Sequence, residues 1–322
     1  MKKFFIKFIA LVLTLFLVDQ AVSKVLDLGR PIDYAAFIES KYKYDDLENS
    51  DLLFIGDSQP ADTFVPQVFE DKLGGSAFNF GVMIMSPFEG YYLTKDLVNR
   101  HSTPPKLVIL GTNANMFNYN LSEGRYTPFF IENPIYLVPL LAESESFEAF
   151  TSAGRKGYLF KPTIKRILSG EKNTKVHREV ADIDNGYLHN IKHFENPIML
   201  SDCNRDRNFF SKEINEVQKE YFIKTIEYLI SKNIDIVIVH PPMHKDFFEC
   251  LKSQSRYSYF ESTISEIVKD YNLKLFNADH SLLVNELKDD EFLNGDHVCY
   301  TGAVKFSSKI AEYLYQEGYN FD

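Results

Sequence analysis

Five short strand-like runs alternate with helical patterns along the 322-residue chain, and few folds accommodate this alternation. The strands are predicted at 52–55, 76–80, 107–110, 234–239 and 273–276. The main helices are predicted at 66–74, 86–100, 211–232, 262–270 and 302–315. Continuous apolar runs are typical of strands buried on both faces, and alternation of strands with helices indicates parallel crossovers. The sequence therefore predicts an α/β fold, a three-layer sandwich around a mostly parallel sheet.

The alternation is interrupted between residues 114 and 210. This stretch is aromatic at Met116–Tyr136 and basic at Arg155–Arg178, and we predict a mostly helical insertion there. A loop region of this size is often functional, as a lid or substrate platform. Its basic residues fit an anionic glycan or lipid surface, or a solvated helix face. The predicted organisation is a stalk or covering segment at 24–50 and an α/β domain at 51–322.

Residues 1–23 have the pattern of a targeting segment. Lys2, Lys3 and Lys7 precede an uncharged run from Phe8 to Val18. Lysines before an apolar segment place the following chain on the far side of the membrane, so we predict export. An uncleaved membrane anchor is the favoured interpretation. The alternatives are a buried helix and a signal peptide cleaved after Ser23, since small residues occupy 21 and 23.

Composition narrows the classes of partner and cofactor. A net charge of −10 argues against nucleic acid, which needs a basic face. The three cysteines, Cys203, Cys250 and Cys299, are too scattered for a zinc site and allow at most one disulfide. No histidine or carboxylate pair has the spacing of a metal site. The sequence predicts neither a metal nor a cofactor.

Residues with hydrogen-bond donors suited to catalysis follow three of the predicted strands. Ser58 and Asn113 come after the first and third strands, and Gly81 comes after the second. Ligands bind beyond the carboxyl ends of strands in open α/β sheets. The backbone N–H groups of Ser58 and Gly81 and the Asn113 amide would stabilise the oxyanion of an acyl-transfer reaction. His297 would be the general base that activates Ser58.

Four sequence blocks carry these residues, and together they resemble the SGNH or GDSL-type hydrolase superfamily. The blocks are Gly56-Asp57-Ser58, Asn79-Phe80-Gly81, Gly111-Thr112-Asn113, and Asp296-His297 with Gly302-Ala303 downstream. Within these blocks, Gln59 follows Ser58 where the family has leucine, and Ala114 stands where aspartate is frequent. The resemblance implies ester hydrolysis or acyl transfer with Ser58 as nucleophile and His297 as base.

The residue that orients His297 is left open by the sequence. The resemblance implies an aspartate three residues before the histidine, where this chain has Asn294, and the adjacent carboxylate is Asp296. A carboxylate fixes the imidazole tautomer and stabilises its cation. Either Asp296 serves, or Asn294 supports a slower Ser–His dyad, or hydrolysis has been lost.

The favoured hypothesis is an exported serine esterase or O-acyltransferase acting on acylated cell-envelope glycans, as resemblance to envelope members implies. Its predicted partners are the ester substrate, the membrane through the N-terminal segment and an envelope acyl-transfer partner. The alternative is an inactive glycan-binding or envelope-assembly protein. Asp57, His240 and His244 are candidate substrate contacts, although structural roles are open for each histidine.

Overall fold

A computed structural model describes residues 2–26, 41, 45–82, 85–118, 164, 167–168, 187, 215–277 and 286–321. The chain divides into two compact units, one of residues 1–36 and 121–178 and the other of residues 37–120 and 179–322. Most of the predicted insertion at 114–210 and much of the predicted stalk lie outside the described residues.

In the first unit the main described element is helix α1, Lys2–Leu26. Its apolar side chains are exposed, including Phe8, Leu15 and Leu17. Within the described residues it is the one helix whose length and hydropathy suit a membrane crossing, over Lys7–Leu26 with a mean hydropathy of 1.9. A signal sequence has the same properties. The helix continues past the predicted boundary at residue 23.

The second unit is built on a five-stranded parallel sheet. Its strands are β1 (Leu52–Ile55), β2 (Ala77–Asn79), β3 (Leu107–Gly111), β4 (Asp235–His240) and β5 (Lys274–Asn277). Their spatial order is β2-β1-β3-β4-β5, and every neighbouring pair is parallel. The parallel α/β prediction is confirmed. The order reverses between β1 and β3, and such switch points form the ligand crevice of doubly wound sheets.

Seven described helices accompany the sheet. They are α2 (Ser58–Thr63), α3 (Pro66–Leu73), α4 (Pro87–Arg100), α5 (Glu216–Ser231), α6 (Lys245–Lys252), α7 (Ser255–Asp270) and α8 (Tyr300–Gln316). Short 3₁₀ turns lie at Asp45–Asn49, Met116–Asn118 and Asp289–Glu291.

Helices cover both faces of the sheet. On one face, Leu52 and Phe54 of β1 share a core cluster with residues of α3 and α8, such as Phe69 and Phe306. On the other face, Ile55 borders a pocket that residues of α4 and α5 also line. Successive strand residues point to opposite faces, which accounts for the fully apolar sequence of β1.

Two helices were not predicted from the sequence, and one begins earlier than predicted. All six residues of α2 are buried, and most are polar, so no amphipathic period marks the helix. Helix α6 is also short. Helix α7 begins at Ser255, upstream of the predicted start at 262. Tertiary contacts, rather than local periodicity, define these elements.

The N-terminus of α4 forms a capping box. Ser86 Oγ accepts from the Glu89 N–H at 3.3 Å, and Glu89 Oε2 accepts from the Ser86 N–H at 2.9 Å. Glu89 is nevertheless buried, and burial raises the pKa of its carboxyl to about 7 against opposing hydrogen bonds from Ser86. The cap therefore holds a carboxylate in a poorly solvated place.

We expect Glu89→Gln to stabilise the fold at alkaline pH. Glutamine also completes a capping box, but it carries no charge to desolvate. Because the folded-state pKa is raised, the wild type loses stability as pH rises from about 4.5 to about 7. The variant should gain about 1–3 kcal/mol over the wild type across that window.

The measurement is urea unfolding of the full-length protein in detergent at about pH 4 and about pH 8. Glu249→Gln is the matched control, because that side chain is 62% exposed on α6. An advantage of equal size at both pH values would contradict the proposed cause.

The cysteines differ in state. Cys250 is disulfide-bonded, whereas Cys299 is a buried free thiol at the N-terminus of α8. Cys203 lies outside the described residues.

Candidate active site

The candidate site lies at the carboxyl edge of the sheet, where its strand order reverses. Ser58 begins α2 directly after β1, and Asn113 follows β3. His297 lies in the loop before α8. Residues from the two ends of the sequence thus meet at the edge where ligands bind in doubly wound folds.

Ser58 and His297 are in hydrogen-bond contact. Ser58 Oγ lies 2.8 Å from His297 Nε2. The other ring nitrogen, Nδ1, lies 2.8 Å from Asp296 Oδ1 and 3.0 Å from Asn294 Oδ1. Both of these oxygens can only accept, so the neutral imidazole must carry its proton on Nδ1. The Nε2 lone pair therefore faces the Ser58 hydroxyl, which is the arrangement of a nucleophile and its base.

The amide orientation of Asn294 follows from its backbone contacts. Its Oδ1 accepts the backbone N–H groups of Asp296 at 3.0 Å and His297 at 2.9 Å. These bonds form a tight side-chain turn and direct the oxygen toward the ring. Both residues that the sequence offered as orienters of His297 consequently contact Nδ1.

Carboxylates near His297 favour its protonated form. Burial alone lowers the pKa of His297, but the charge and hydrogen bond of Asp296, together with Asp62 and Asp57, raise it to about 9. Burial also raises the pKa of Asp57 to about 7, although His297 opposes this shift. The carboxylates around His297 therefore stabilise the imidazolium that forms during proton transfer.

The three predicted oxyanion donors differ in their present contacts. The Ser58 N–H has no acceptor within the described part of the chain. One N–H of Asn113 donates to Asp57 Oδ2, which leaves the second N–H of that amide. The Gly81 N–H donates to Asn79 Oδ1 at 2.8 Å. Donation by Gly81 to an oxyanion would require sharing or exchange of this bond.

Gly81 is required for close packing as well. A Cβ at this position would lie 2.5 Å from the Ala61 nitrogen and 2.6 Å from its Cα. No real side chain tolerates those distances, and both contacts are backbone atoms that cannot rotate away. Gly81 therefore brings the β2 loop against α2, which carries Ser58.

Asn79 joins β2 to α2. Its Nδ2 donates to Pro60 O at 3.0 Å and Phe64 O at 2.7 Å, while its Oδ1 accepts from Gly81. In the sequence, Asn79 belongs to the Asn79-Phe80-Gly81 block, but its residue type alone predicts no role there. All of its bonds connect the loops around Ser58, so it organises the site through backbone groups.

Lys41 is a further residue that the sequence reasoning missed. Its side chain is fully buried, and its Nζ donates to the carbonyl oxygens of Asn79, at 2.9 Å, and Gly81. Burial lowers the pKa of Lys41 well below its usual value, although the charge of Asp62 opposes this. A lysine in a stalk-like segment carries no sequence signal for such a contact.

His240 and His244 have contacts within the fold, and their proposed substrate contact stays a prediction. His240 Nδ1 lies 3.4 Å from Thr112 Oγ1, and its ring packs against Phe260. His244 caps α6 through Nδ1, and its Nε2 lies 3.1 Å from Asp289 Oδ1. The backbone N–H of His244 donates to Gly295 O at 2.8 Å, which fixes the loop before His297.

An apolar pocket borders Asp57 and Asn113 between α4, α5 and the ends of β1 and β3. Its walls include Ile55, Met85, Leu110, Met116 and Phe222. The lining Thr94 and Thr225 each donate their hydroxyl to a carbonyl within their own helix. The pocket therefore offers a mainly apolar surface next to a candidate oxyanion donor.

Among the described residues, no group of three histidine, cysteine or acidic side chains is arranged to hold a metal ion.

No family model and no curated protein matches this chain. Solved structures do resemble it. A lipase/acylhydrolase from Enterococcus faecalis is 10% identical, with a TM-score of 0.40 over 83% of this chain and 95% of that chain. A GDSL-like lipase from Bacteroides thetaiotaomicron is 8% identical, with a TM-score of 0.37 over 88% and 98%. Neither similarity is close enough to indicate an activity.

Proposed function

We propose that this chain is an exported serine esterase or O-acyltransferase of the SGNH type. The observation that supports the proposal is the 2.8 Å contact between Ser58 Oγ and His297 Nε2, with acceptors on Nδ1. This geometry gives the imidazole the tautomer that a general base for serine needs.

In the proposed reaction, His297 Nε2 takes the Ser58 proton as Oγ bonds to the ester carbonyl carbon. The Ser58 N–H and the remaining Asn113 N–H stabilise the resulting oxyanion. Collapse of this intermediate breaks the ester C–O bond, and the protonated His297 gives its proton to the leaving alkoxide. An acceptor hydroxyl, deprotonated by His297, then attacks the acyl carbon of the Ser58 ester. The bond between Ser58 Oγ and that carbon breaks, His297 returns the proton to Oγ, and the acyl group leaves on the acceptor oxygen. Water as acceptor gives an esterase, whereas a sugar hydroxyl gives a transferase.

The proposed substrate is an acylated cell-envelope glycan. This choice depends on the family resemblance and on export. Two observations support export, namely the apolar helix α1 and the disulfide at Cys250, since disulfides are typical of oxidising compartments. The apolar pocket beside Asp57 and Asn113 would accommodate the acyl group.

The first test is labelling by a fluorophosphonate probe, which reacts with an activated serine. We expect the full-length wild type to be labelled at Ser58 and Ser58→Ala to be unlabelled. Ser307→Ala is the matched control, because Ser307 is a buried serine of α8 that binds Thr63 and Val65. Labelling that persists in Ser58→Ala would exclude the serine mechanism.

Acetate release from isolated envelope polysaccharide tests the substrate. Release in water that Ser58→Ala abolishes indicates an esterase, and transfer to added sugar acceptors indicates a transferase. A protein that binds the polysaccharide, resists the probe and releases nothing would favour the inactive glycan-binding alternative.

Membrane attachment is tested by fractionation. We expect the full-length protein to remain with membranes after a high-salt wash, because about 20 apolar residues suffice to span a bilayer. Release of a shortened soluble chain would instead indicate signal cleavage.

A further inference from the structure

Gln59, the residue after the candidate nucleophile, contacts the carboxylate of Asp296. Its Nε2 lies 3.3 Å from Asp296 Oδ2, while Asp296 Oδ1 lies 2.8 Å from His297 Nδ1. The Asp296 carboxylate is thus held at both oxygens, one by the glutamine amide and one by the imidazole. Gln59 is 4% exposed, so water competes little for this contact.

The backbone of Gln59 anchors the side chain to the same turn as Ser58. Its N–H donates to Asp57 Oδ1 at 3.2 Å, as part of the cap of α2. Gln59 therefore connects the helix that carries the nucleophile to the carboxylate beside the base. Reversing the amide would set two oxygens against each other, so Nε2 must be the atom that faces Asp296.

Asn294 has a different task from Asp296. Its single Oδ1 accepts from the backbone N–H groups of Asp296 and His297 as well as from Nδ1. These bonds shape the turn, but a neutral amide adds no charge to stabilise an imidazolium. The charge in contact with the ring comes from Asp296.

We propose that Gln59 is a positioning residue that holds Asp296 in place as the carboxylate partner of His297. This inference rests on the proposed serine mechanism and extends it. Through this contact, Asp296 supplies the carboxylate for His297 that Asn294, three residues before the histidine, does not supply. Leucine at position 59 would leave Asp296 Oδ2 without this donor.

The carbonyl oxygen of the Gln59 side chain provides a way to distinguish a positioning role from a structural one. Gln59 Oε1 is buried and has no hydrogen-bond partner within the described residues. A buried acceptor without a donor destabilises the fold, and leucine of similar volume removes it. Gln59→Leu should therefore lower activity while the melting temperature stays equal or rises. If Gln59 had only a structural role, the substitution would lower the activity and the melting temperature together.

The experiment measures kcat/KM for p-nitrophenyl acetate and the rate of fluorophosphonate labelling in the full-length protein. We expect Gln59→Leu to reduce both about 10-fold, in line with loss of one hydrogen bond to a charged group. In the Asp296→Asn background the same substitution should change them less than about twofold, because Gln59 acts through that carboxylate. Gln67→Leu, at an exposed glutamine of α3, is the matched control.

A second readout does not depend on turnover. The titration of the His297 imidazole by NMR should move to lower pH in Gln59→Leu, since a loosened carboxylate favours the cation less. If the wild type neither labels nor hydrolyses but this shift is present, the positioning role stands and the proposed function fails. An unshifted titration, or equal losses in the wild-type and Asp296→Asn backgrounds, would overturn the positioning role.

Discussion

His297→Ala is expected to lower kcat/KM for an activated ester by between about 10⁴- and 10⁶-fold. Removal of the imidazole leaves Ser58 without a base, and the loss of either member of a serine–histidine pair in another hydrolase costs about that much. The Ser58 N–H and the Asn113 amide would account for the residual rate. The measurement is steady-state hydrolysis of p-nitrophenyl acetate by the full-length protein.

His101→Ala serves as the control for removal of a buried histidine. His101 lies at the end of α4, where its ring contacts Leu97 O and Ser50. We expect this variant to lower the melting temperature with little change in kcat/KM. If His101→Ala and His297→Ala reduced activity equally, the loss would reflect folding rather than base catalysis.

Asp296→Asn is expected to reduce kcat/KM by about 10²- to 10⁴-fold, as amide replacement of a triad carboxylate does elsewhere. The variant should also shift the pH dependence. Only neutral His297 can accept the Ser58 proton, so wild-type activity should rise with pH toward the His297 pKa of about 9. Without the charge of Asp296, burial lowers that pKa, and the rise should move to lower pH.

The matched control is Asp289→Asn. Asp289 is exposed, and its carboxylate pairs with His244, whose backbone contacts the loop before His297. We expect its kcat/KM to change less than about twofold, since exposed ion pairs contribute little. An Asp296→Asn variant with wild-type rate and an unchanged pH profile would show that Asn294 alone orients His297.

Local patterns in the sequence predicted the sheet and the edge at which the candidate site lies. Strands such as 52–55 and 107–110 are continuous apolar runs, and only a sheet buried on both faces accommodates them. The order of strands and helices then fixes which loops share an edge. Ser58 and Asn113 follow from this logic alone.

The contacts around Ser58 were less predictable. Helix α2 is short and buried, and Lys41 joins β2 from a segment without a recognisable pattern. The sequence assigned Gly81 to the oxyanion hole, whereas its N–H is engaged by Asn79 and its missing side chain makes room for Ala61. Such contacts depend on residues distant in sequence, and no periodicity encodes them.

The parallel α/β fold and the shared edge of Ser58 and Asn113 follow from the residue pattern, because burial and chain connectivity leave few alternatives. The contacts of Asp296 and Asn294 with His297 Nδ1, and of Gln59 with Asp296, became visible only in the folded chain. The shape of that turn is set by distant contacts, including the His244 N–H to Gly295 O and the packing of Phe247 where a Gly295 side chain would lie. Distances of about 3 Å between side chains depend on such packing, which residue spacing does not specify.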